Sequence, residues 1–188
     1  LSAEWILDFF NAMWNAKEIP IEWHIARVMA IFKKGDEADC ANYRPISLIN
    51  VGYNIFAMIL LTRMQKGGAD SRICQSQFGF RKSRGTSDAL FLARRFIERA
   101  WARKDGRLVI LALDWAKAFD SISPHCLCSA LARFGIPQPM IDMIKSIYTG
   151  RQFVVRDGNC QSSMKSQHFG ISQGCPLSPF LSIIMMSI

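Results

Sequence analysis

The feature that most constrains the fold is an unbroken apolar run, residues 108–113, that ends on the carboxylate of Asp114. An apolar run without polar alternation predicts a β-strand covered on both faces, which would deliver the next residue to the rim of a sheet. A carboxylate buried among apolar residues is costly unless it is paired or binds a cation. We therefore expect Asp114 to meet a metal ion or a basic partner. On these residues alone, the alternative is that Asp114 only caps the turn after the strand.

Composition places the chain among folded, basic proteins. Its 188 residues, half of them hydrophobic, suffice for one compact domain or two small subdomains. The formal net charge of +8 favours a polyanionic partner, although basic residues are also common on plain solvated surface. Because no signal peptide and no apolar run of membrane-spanning length is found, we expect an intracellular protein with no membrane partner.

The six cysteines have no paired metal-ligand spacing, and we expect them to be reduced thiols. The one close pair, Cys126 and Cys128, lies in a predicted helix that points its members apart. The chain opens inside an amphipathic helix without an initiator methionine and closes on apolar residues without a helix stop signal. Both ends predict that the chain is a segment of a longer polypeptide.

The first half of the chain mixes helical and strand patterns. After the opening helix, residues 25–32 have strand character, and a polar turn and a loop through residues 42–45 follow. Apolar residues at helical spacing then predict a helix that ends before Gly67. That spacing involves Leu48, Val51, Ile55, Met58 and Ile59.

A basic, glycine-punctuated loop at residues 78–85 precedes a third predicted helix, for which Thr86 or Ser87 is the expected cap. One face of this helix is apolar and the other carries arginines, which we expect to be ordinary solvated surface.

Signals for further elements follow the Asp114 run. Ser123 and Pro124 predict the start of a helix, and a second helix begins near Pro139. The Asp157-Gly158 pair predicts a hairpin turn. A loop rich in glycine and proline at residues 170–179 precedes an apolar terminal helix. Because strands and helices do not alternate strictly, the sequence favours an α+β fold.

Three features of the sequence suit nucleotidyl transfer: an acid at a strand end, basic residues on early loops and a flexible glycine loop. This chemistry uses two metal ions that clamp the attacking and leaving oxygens, while cationic side chains neutralise the triphosphate. One carboxylate is too few for two metal ions. Asp120 is a poor candidate for a second ligand because it lies in the turn six residues after Asp114.

Four short motifs of the chain resemble the reverse transcriptases of non-LTR (LINE-type) retrotransposons. The matching motifs, in the family's order, are A-N-Y-R-P-I-S-L at 41–48, Q-F-G-F-R-K at 77–82, L-D-W-A-K-A-F-D at 113–120 and G-I-S-Q-G-C-P-L-S-P at 170–179. Each motif alone is weak evidence for the family, but four motifs in the family's order are improbable by chance. The resemblance implies a right-hand polymerase, with residues 1–107 mainly fingers and residues 108–188 the first part of the palm.

The resemblance also implies a catalytic role for Asp114, which would bind both catalytic ions together with the backbone carbonyl of Trp115. The implied cofactor is Mg²⁺, with Mn²⁺ as a possible substitute. The aromatic ring of Phe119 would lie under the incoming sugar and exclude a 2′-hydroxyl, which selects deoxynucleotides. The alternative for Phe119 is a plain core residue. RNA-directed RNA polymerases, which resemble this region more distantly, usually carry an acid where this chain has Phe119, so RNA synthesis is disfavoured.

Basic and amide side chains complete the implied site. Lys33 and Arg44 would contact the triphosphate, although Lys34 could replace Lys33 and each lysine could equally be solvated surface. Arg81 would contact the phosphates of the template strand, and its alternative role is a hydrogen bond that stabilises its own loop. Two further nucleotide-binding residues are expected in the glycine loop, Gln173 and Gly174. The glycine there permits close backbone approach.

The sequence departs from the family pattern in two respects. It contains no Asp-Asp pair, and so lacks the aromatic-x-Asp-Asp hairpin that supplies the remaining metal carboxylates, and the thumb is missing as well. We therefore expect a truncated polymerase, and no polymerase activity from residues 1–188 alone. The expected partners of the complete polypeptide are an RNA template, a DNA primer and deoxynucleoside triphosphates.

Two other functions compete with the polymerase hypothesis. A decayed retroelement copy could retain a basic surface that binds nucleic acid without catalysis. An unrelated α+β domain with incidental charge is the other alternative, and it would require all four motif matches to be coincidental. Action in the nucleus is implied by the family resemblance alone, since such enzymes prime on chromosomal DNA. The basic loops lack the dense run that a nuclear localisation signal needs.

Overall fold

The computed structural model describes residues 2–188, which form a mixed α+β fold, as predicted. Its helices and strands, in chain order, are α1 (Ala3–Ala16), β1 (Ile25–Phe32), β2 (Tyr43–Leu48), α2 (Val51–Lys66), α3 (Thr86–Trp101), α4 (Pro124–Arg133), α5 (Gln138–Tyr148), β3 (Gln152–Asp157), β4 (Cys160–Gln161), β5 (Lys165–Ser166) and α6 (Ser178–Met186). Short 3-10 turns lie at Ile21–His24, Cys40–Asn42 and Asp70–Arg72.

A small mixed sheet is built around two strands that lie far apart in the chain. Its order is β2-β1-β3-β4, and β5 also pairs with β3. β1 runs antiparallel to β2, with Ile31 opposite Arg44, and parallel to β3, with Ile25 opposite Gln152. The predicted hairpin at Asp157 is confirmed, since β3 and β4 pair antiparallel across that turn.

The core lies among the helices α2, α4, α5 and α6. The largest fully buried side chains come from these helices and from the loop before α6: Phe56, Leu60, Leu127, Leu131, Met143, Ile144, Ile147, Ile171, Leu177, Leu181, Ile183 and Ile184. Burying side chains of this size is the main stabilising contribution to the fold. The loop that contains Gln173 is thereby flanked by buried residues, which fix its two ends.

The prediction that residues 42–45 form a loop and that the next helix includes Leu48 is wrong. Residues 43–48 form the edge strand β2, and α2 begins at Val51, with the Asn50 side chain accepting a hydrogen bond from the Gly52 N–H. Pro45 lies within β2. Proline lacks an N–H, but an edge strand tolerates it because only one side of the strand is paired.

The buried face of α2 is not the one that the spacing of Val51, Ile55 and Met58 describes, because these three side chains are exposed. The helix instead buries Tyr53, Phe56, Ala57, Leu60 and Met64 against α1 and the other core helices.

The predicted strand over residues 108–113 is wrong. This segment has no regular secondary structure, and its side chains are exposed, with Val109 at 93% and Leu111 at 78%. A strand needs a hydrogen-bonded neighbour, and no strand formed by residues 2–188 pairs with this segment. The apolar face of the neighbouring helix α3 also contributes no buried residue. Together they leave a large apolar surface uncovered within the described chain.

Local signals at the helix starts are only partly confirmed. α4 starts at Pro124 after Ser123, as predicted, but the Ser123 side chain makes no capping hydrogen bond. At the start of α3, Asp88 accepts a hydrogen bond from the Gly85 N–H at 2.7 Å, so neither Thr86 nor Ser87 is the capping residue. The carboxylate near this helix N-terminus is also favourable for the helix dipole.

All six cysteines are free thiols, as predicted. None of the helices within residues 2–188 combines the length and the apolar character that crossing a bilayer requires.

Candidate functional site

A basic cleft lies where β1, β2, the turn before α4 and the loop before α6 meet. It encloses about 370 Å³ and is lined by Lys33, Cys40, Ala41, Tyr43, Arg44, Pro45, Lys117, Asp120 and Gln173. Three cationic side chains and one carboxylate line it, so the cleft is suited to an anionic ligand.

The β1–β2 connection places the two cations that the sequence predicted. Lys33 follows β1 directly, and its N–H donates to the Asn42 carbonyl at 2.8 Å, which closes the connection. Arg44 lies on β2, opposite Ile31 of β1. Both side chains are exposed, so their donors are available to a ligand. Lys34, the alternative to Lys33, does not line the cleft.

The loop that carries Gln173 docks on β2 through its backbone. The Ser47 N–H donates to the Gln173 carbonyl at 3.0 Å. Gly174 has φ +116°, and a Cβ there would lie 2.9 Å from the Ser47 carbonyl oxygen. A side chain fits neither this dihedral angle nor this space. Gly174 therefore permits a close backbone approach to Ser47 of β2, and its role in nucleotide binding stays a prediction.

The other side of the same loop is joined to the turn that carries Asp120. The Gly170 N–H donates to the Ile122 carbonyl at 2.7 Å, and the Ile171 N–H donates to the Phe119 carbonyl at 2.9 Å. A Cβ on Gly170, which has φ +92°, would lie 3.1 Å from two backbone atoms of Asp120. The motifs at residues 113–120 and 170–179, which are far apart in the chain, are thus held together by backbone contacts.

Asp120 and Gln173 form the polar contact at the base of the cleft. The Gln173 Nε2 group donates to both carboxylate oxygens of Asp120, at 2.9 and 3.1 Å. Both side chains are half-buried, which strengthens such a charge-assisted bond relative to one in water.

Phe119 lies beside the cleft and is half-buried against the core. Its ring meets that of Phe80 edge to face, with centroids 6.1 Å apart. This placement fits a packing role, and it also leaves part of the ring accessible next to Asp120. The assignment of Phe119 as a sugar gate stays a prediction.

A buried arginine supports the loop from behind. Arg151 is 7% exposed, and its Nη2 group donates to the Ser172 hydroxyl at 2.5 Å. Its guanidinium also lies 5.3 Å from the centre of the Tyr148 ring. Burial raises the pKa of Tyr148 well above its usual range, so this phenol stays neutral beside the arginine.

Asp114 and Trp115 lie outside the cleft. Asp114 is exposed and accepts no hydrogen bond from residues 2–188, and Trp115 is 63% exposed. The expectation that Asp114 is buried at a sheet rim is wrong, because the strand before it does not form. Its other predicted role, capping the turn, is likewise not observed in the described chain.

A metal site does not form from the described residues alone. No group of three histidine, cysteine, aspartate or glutamate side chains converges anywhere in residues 2–188. Divalent cations such as Mg²⁺ are held by several oxygen ligands, and Asp114 stands alone. The Asp120 carboxylate accepts hydrogen bonds from Gln173, and its exclusion as a metal ligand stays a prediction.

The guanidinium of Arg81 is turned into its own loop. It donates to the carbonyls of Cys74 at 3.1 Å and Asp70 at 3.2 Å, and it lies 3.4 Å from the Asp70 carboxylate. The Arg81 side chain is only 9% exposed. These contacts match the loop-stabilising alternative, and a contact with the template stays a prediction.

Two charged residues of the cleft, Lys117 and Asp120, are not assigned to it by the sequence. Both belong to the motif at residues 113–120, in which the resemblance implies site roles only for Asp114, Trp115 and Phe119. Lys117 has φ +51°, an unusual left-handed conformation for a lysine, and its carbonyl accepts from the N–H of Asp120 and of Ser121. This turn carries Asp120 to the cleft, and spacing alone does not reveal it.

Comparison with known proteins identifies the family. The reverse transcriptase (RNA-dependent DNA polymerase) family matches residues 31–188. The chain is 28% identical to a probable RNA-directed DNA polymerase from transposon BS of Drosophila melanogaster, over 92% of this chain and 19% of that protein. It is 31% identical to a Pol polyprotein from the type-1 retrotransposable element R2 of Popillia japonica, over 87% of this chain and 22% of that protein.

A third relative is the RNA-directed DNA polymerase from mobile element jockey of Drosophila funebris, 31% identical over 94% of this chain and 19% of that protein. The chain thus spans about a fifth of the length of these relatives. The predicted resemblance to non-LTR retrotransposon enzymes is confirmed, and most residues that line the cleft belong to the motifs that carry it. The chain belongs to the reverse transcriptase family.

Proposed function

We propose that this chain is the nucleotide-binding part of an RNA-directed DNA polymerase of a non-LTR retroelement. The complete polypeptide would add deoxynucleotides to a DNA primer on an RNA template. In this proposal residues 1–107 are mainly fingers and residues 108–188 the first part of the palm. The two parts share one sheet, because β1 pairs with β3. Action in the nucleus would follow from priming on chromosomal DNA.

The convergence of three cations in one cleft is the observation that carries the proposal. Lys33, Arg44 and Lys117 come from three separate segments and line the same space as Gln173. A triphosphate needs several cations for neutralisation, and an arginine guanidinium suits bidentate contact with phosphate oxygens. The sugar would then lie near Phe119, and a ring there leaves no room for a 2′-hydroxyl.

Asp114 keeps its proposed catalytic role, together with the carbonyl of Trp115, because of its position in the family motif at residues 113–120. Its exposed carboxylate is free to bind a cation. A divalent ion, Mg²⁺ or Mn²⁺, would supply charge neutralisation at the phosphates once bound. A two-metal site needs further carboxylates beside Asp114, and residues 2–188 do not bring them there. We therefore expect no polymerisation by this chain alone.

Primer extension on an RNA template, with magnesium and deoxynucleotides, tests the proposal. We expect incorporation by the full-length polypeptide, none by the isolated 188-residue chain, and loss of incorporation with Asp114→Ala. A full-length polypeptide that binds RNA without extending a primer would instead be a non-catalytic remnant. Robust extension by the isolated chain would contradict its expected inactivity, and robust extension by the Asp114→Ala variant would contradict the assignment of the catalytic acid.

Two adjacent lysines offer a matched test of the cleft. Lys33 lines it and Lys34 does not, although both are exposed and carry the same charge. Lys33→Ala should raise the KM for deoxynucleotides about tenfold, as expected for one lost charge-assisted contact. Lys34→Ala should leave KM unchanged. Equal effects of the two substitutions would indicate a general field rather than a defined phosphate site.

A further inference from the structure

The Gln173 side chain has one chemically allowed orientation in the cleft. Its Nε2 group lies within hydrogen-bond distance of both oxygens of Asp120. An ionised carboxylate only accepts hydrogen bonds, so the amide atom that faces it must be the NH2 group. The assignment of nitrogen and oxygen is therefore dictated by chemistry. The Oε1 atom of Gln173 accepts no hydrogen bond from residues 2–188, which leaves it available to a ligand.

Asp120 is free for this task because it makes no ion pair. Although Lys33, Arg44 and Lys117 line the same cleft, none of them forms a salt bridge with Asp120 among the described residues. Its two oxygens are instead shared by one neutral amide. The carboxylate thus orients Gln173 and leaves the three cations available for an anionic ligand.

The backbones of both residues are held independently of their side chains. The Gln173 carbonyl accepts from the Ser47 N–H, and the Asp120 N–H donates to the Lys117 carbonyl at 2.9 Å. The side-chain contact is therefore not needed to bring the two segments together. The specific effect of the contact between the Asp120 and Gln173 side chains is to fix the rotation of the Gln173 amide group.

We propose that Asp120 is a positioning residue, which turns the Gln173 amide so that Oε1 is presented to a hydrogen-bond donor of the bound nucleotide. The inference rests on the proposed function, because it needs a nucleotide in this cleft. Asp120 does not touch the nucleotide in this scheme. It acts only through Gln173, and that restriction makes the proposal testable.

Asp120→Asn is the informative substitution because it keeps the shape of the side chain. An asparagine both donates and accepts, so the Gln173 amide could pair with it in either orientation. The KM for deoxynucleotides should rise about fivefold, the equivalent of one hydrogen bond between the neutral Gln173 amide and the nucleotide. The kcat should change less than about twofold, because the reacting atoms are not moved.

The experiment measures kcat and KM in primer extension by the full-length polypeptide. Wild-type activity is established first, since its absence would contradict the proposed function and not the role of Asp120. Asp120→Asn is then compared in the wild-type and Gln173→Ala backgrounds. A residue that acts only through Gln173 loses its effect once that amide is gone, so the rise in KM should shrink to less than about twofold.

A rescue experiment guards against misfolding. Gln173→Glu should raise KM, because two carboxylates then face each other, and adding Asp120→Asn should lower it again by restoring a donor. A variant that merely unfolds cannot be improved in this way. Asp142→Asn is the matched control, since it makes the same substitution at a carboxylate that accepts a similar bond, from Gln138 Nε2 at 2.7 Å, on α5 outside the cleft. It should leave both constants unchanged.

Three results would overturn the proposal. The first is a wild-type KM in Asp120→Asn. The second is an equal effect of that substitution with and without the Gln173 side chain, which would mean that Asp120 acts directly on the nucleotide or on the fold. The third is the absence of any improvement when Asp120→Asn is added to Gln173→Glu.

Discussion

Gly174→Ala tests how firmly the glycine loop is docked on β2. At φ +116° an alanine is strained by about 1–3 kcal/mol. The new Cβ would also lie 2.9 Å from the Ser47 carbonyl oxygen, which is backbone and cannot simply rotate away. Relieving that contact stretches the neighbouring hydrogen bond from the Ser47 N–H to the Gln173 carbonyl, at a net cost of about 0.5–1.5 kcal/mol. We expect a total destabilisation of about 2–4 kcal/mol.

Gly150→Ala is the matched control for this prediction. Gly150 also has a positive φ, +67°, but no heavy atom lies within 4 Å of the position of an added Cβ. It should cost only the strain of the left-handed conformation, about 1–2 kcal/mol. Alanine restricts the unfolded chain similarly at both positions, so that contribution cancels in the comparison.

Urea unfolding of the purified chain, followed by tryptophan fluorescence, measures both variants. The two midpoints should differ in the direction given, with unchanged m-values, because the surface exposed on unfolding is the same. Equal free energies of unfolding for the two variants would refute the reasoning. In that case the close approach to Ser47 would carry no energy and the loop would be free to move off β2.

Two further predictions concern the core and a surface thiol. Leu131→Ala, at a fully buried position, should lower the free energy of unfolding by about 2–5 kcal/mol in the same urea assay. Val109→Ala, at 93% exposure, should change it by less than about 0.5 kcal/mol. Similar losses in the two variants would contradict the described core. A hydrogen bond from Ser76 lowers the pKa of Cys74, so its reactive thiolate persists to lower pH. Ser76→Ala should therefore shift the pH profile of Cys74 alkylation upward, while buried Cys175 stays unreactive; an unshifted profile would contradict this.

Local patterns in the sequence predict several of the regular elements. β1 spans residues 25–32, as its pattern indicates, and the Asp157 hairpin and the start of α4 at Pro124 also match. These signals are contained within the segment itself, in alternation, turn residues and proline position. The edge strand β2 was missed because its proline and polar residues resemble a loop, and only pairing with β1 makes it a strand.

The apolar run before Asp114 shows the opposite failure. Residues 108–113 have a strong strand pattern but no partner within residues 2–188, so the backbone does not pair. A propensity for strand expresses itself only when a neighbour supplies hydrogen bonds. The placement of Asp114 depends on that pairing, and it could not be predicted from the run alone.

Three residues assigned to a nucleotide site from the sequence lie together in the structure, and their binding role stays a prediction. Lys33, Arg44 and Gln173 meet in one cleft, and Gly174 makes a close backbone approach. Asp120 was missed because its role depends on a partner more than fifty positions away in the chain, which no local pattern encodes. Contacts of this kind arise only once the sheet and the core are assembled.

The parallel pairing of β1 with β3 has a consequence for synthesis of the protein on the ribosome. β1 emerges early, but its second neighbour is not made until α5 has been translated. During that interval one edge of β1 displays unsatisfied N–H and C=O groups that can pair with any passing strand. Such delayed closure of distant segments slows folding and exposes nascent chains to aggregation. We therefore expect newly made chains to depend on chaperones until β3 has left the exit tunnel.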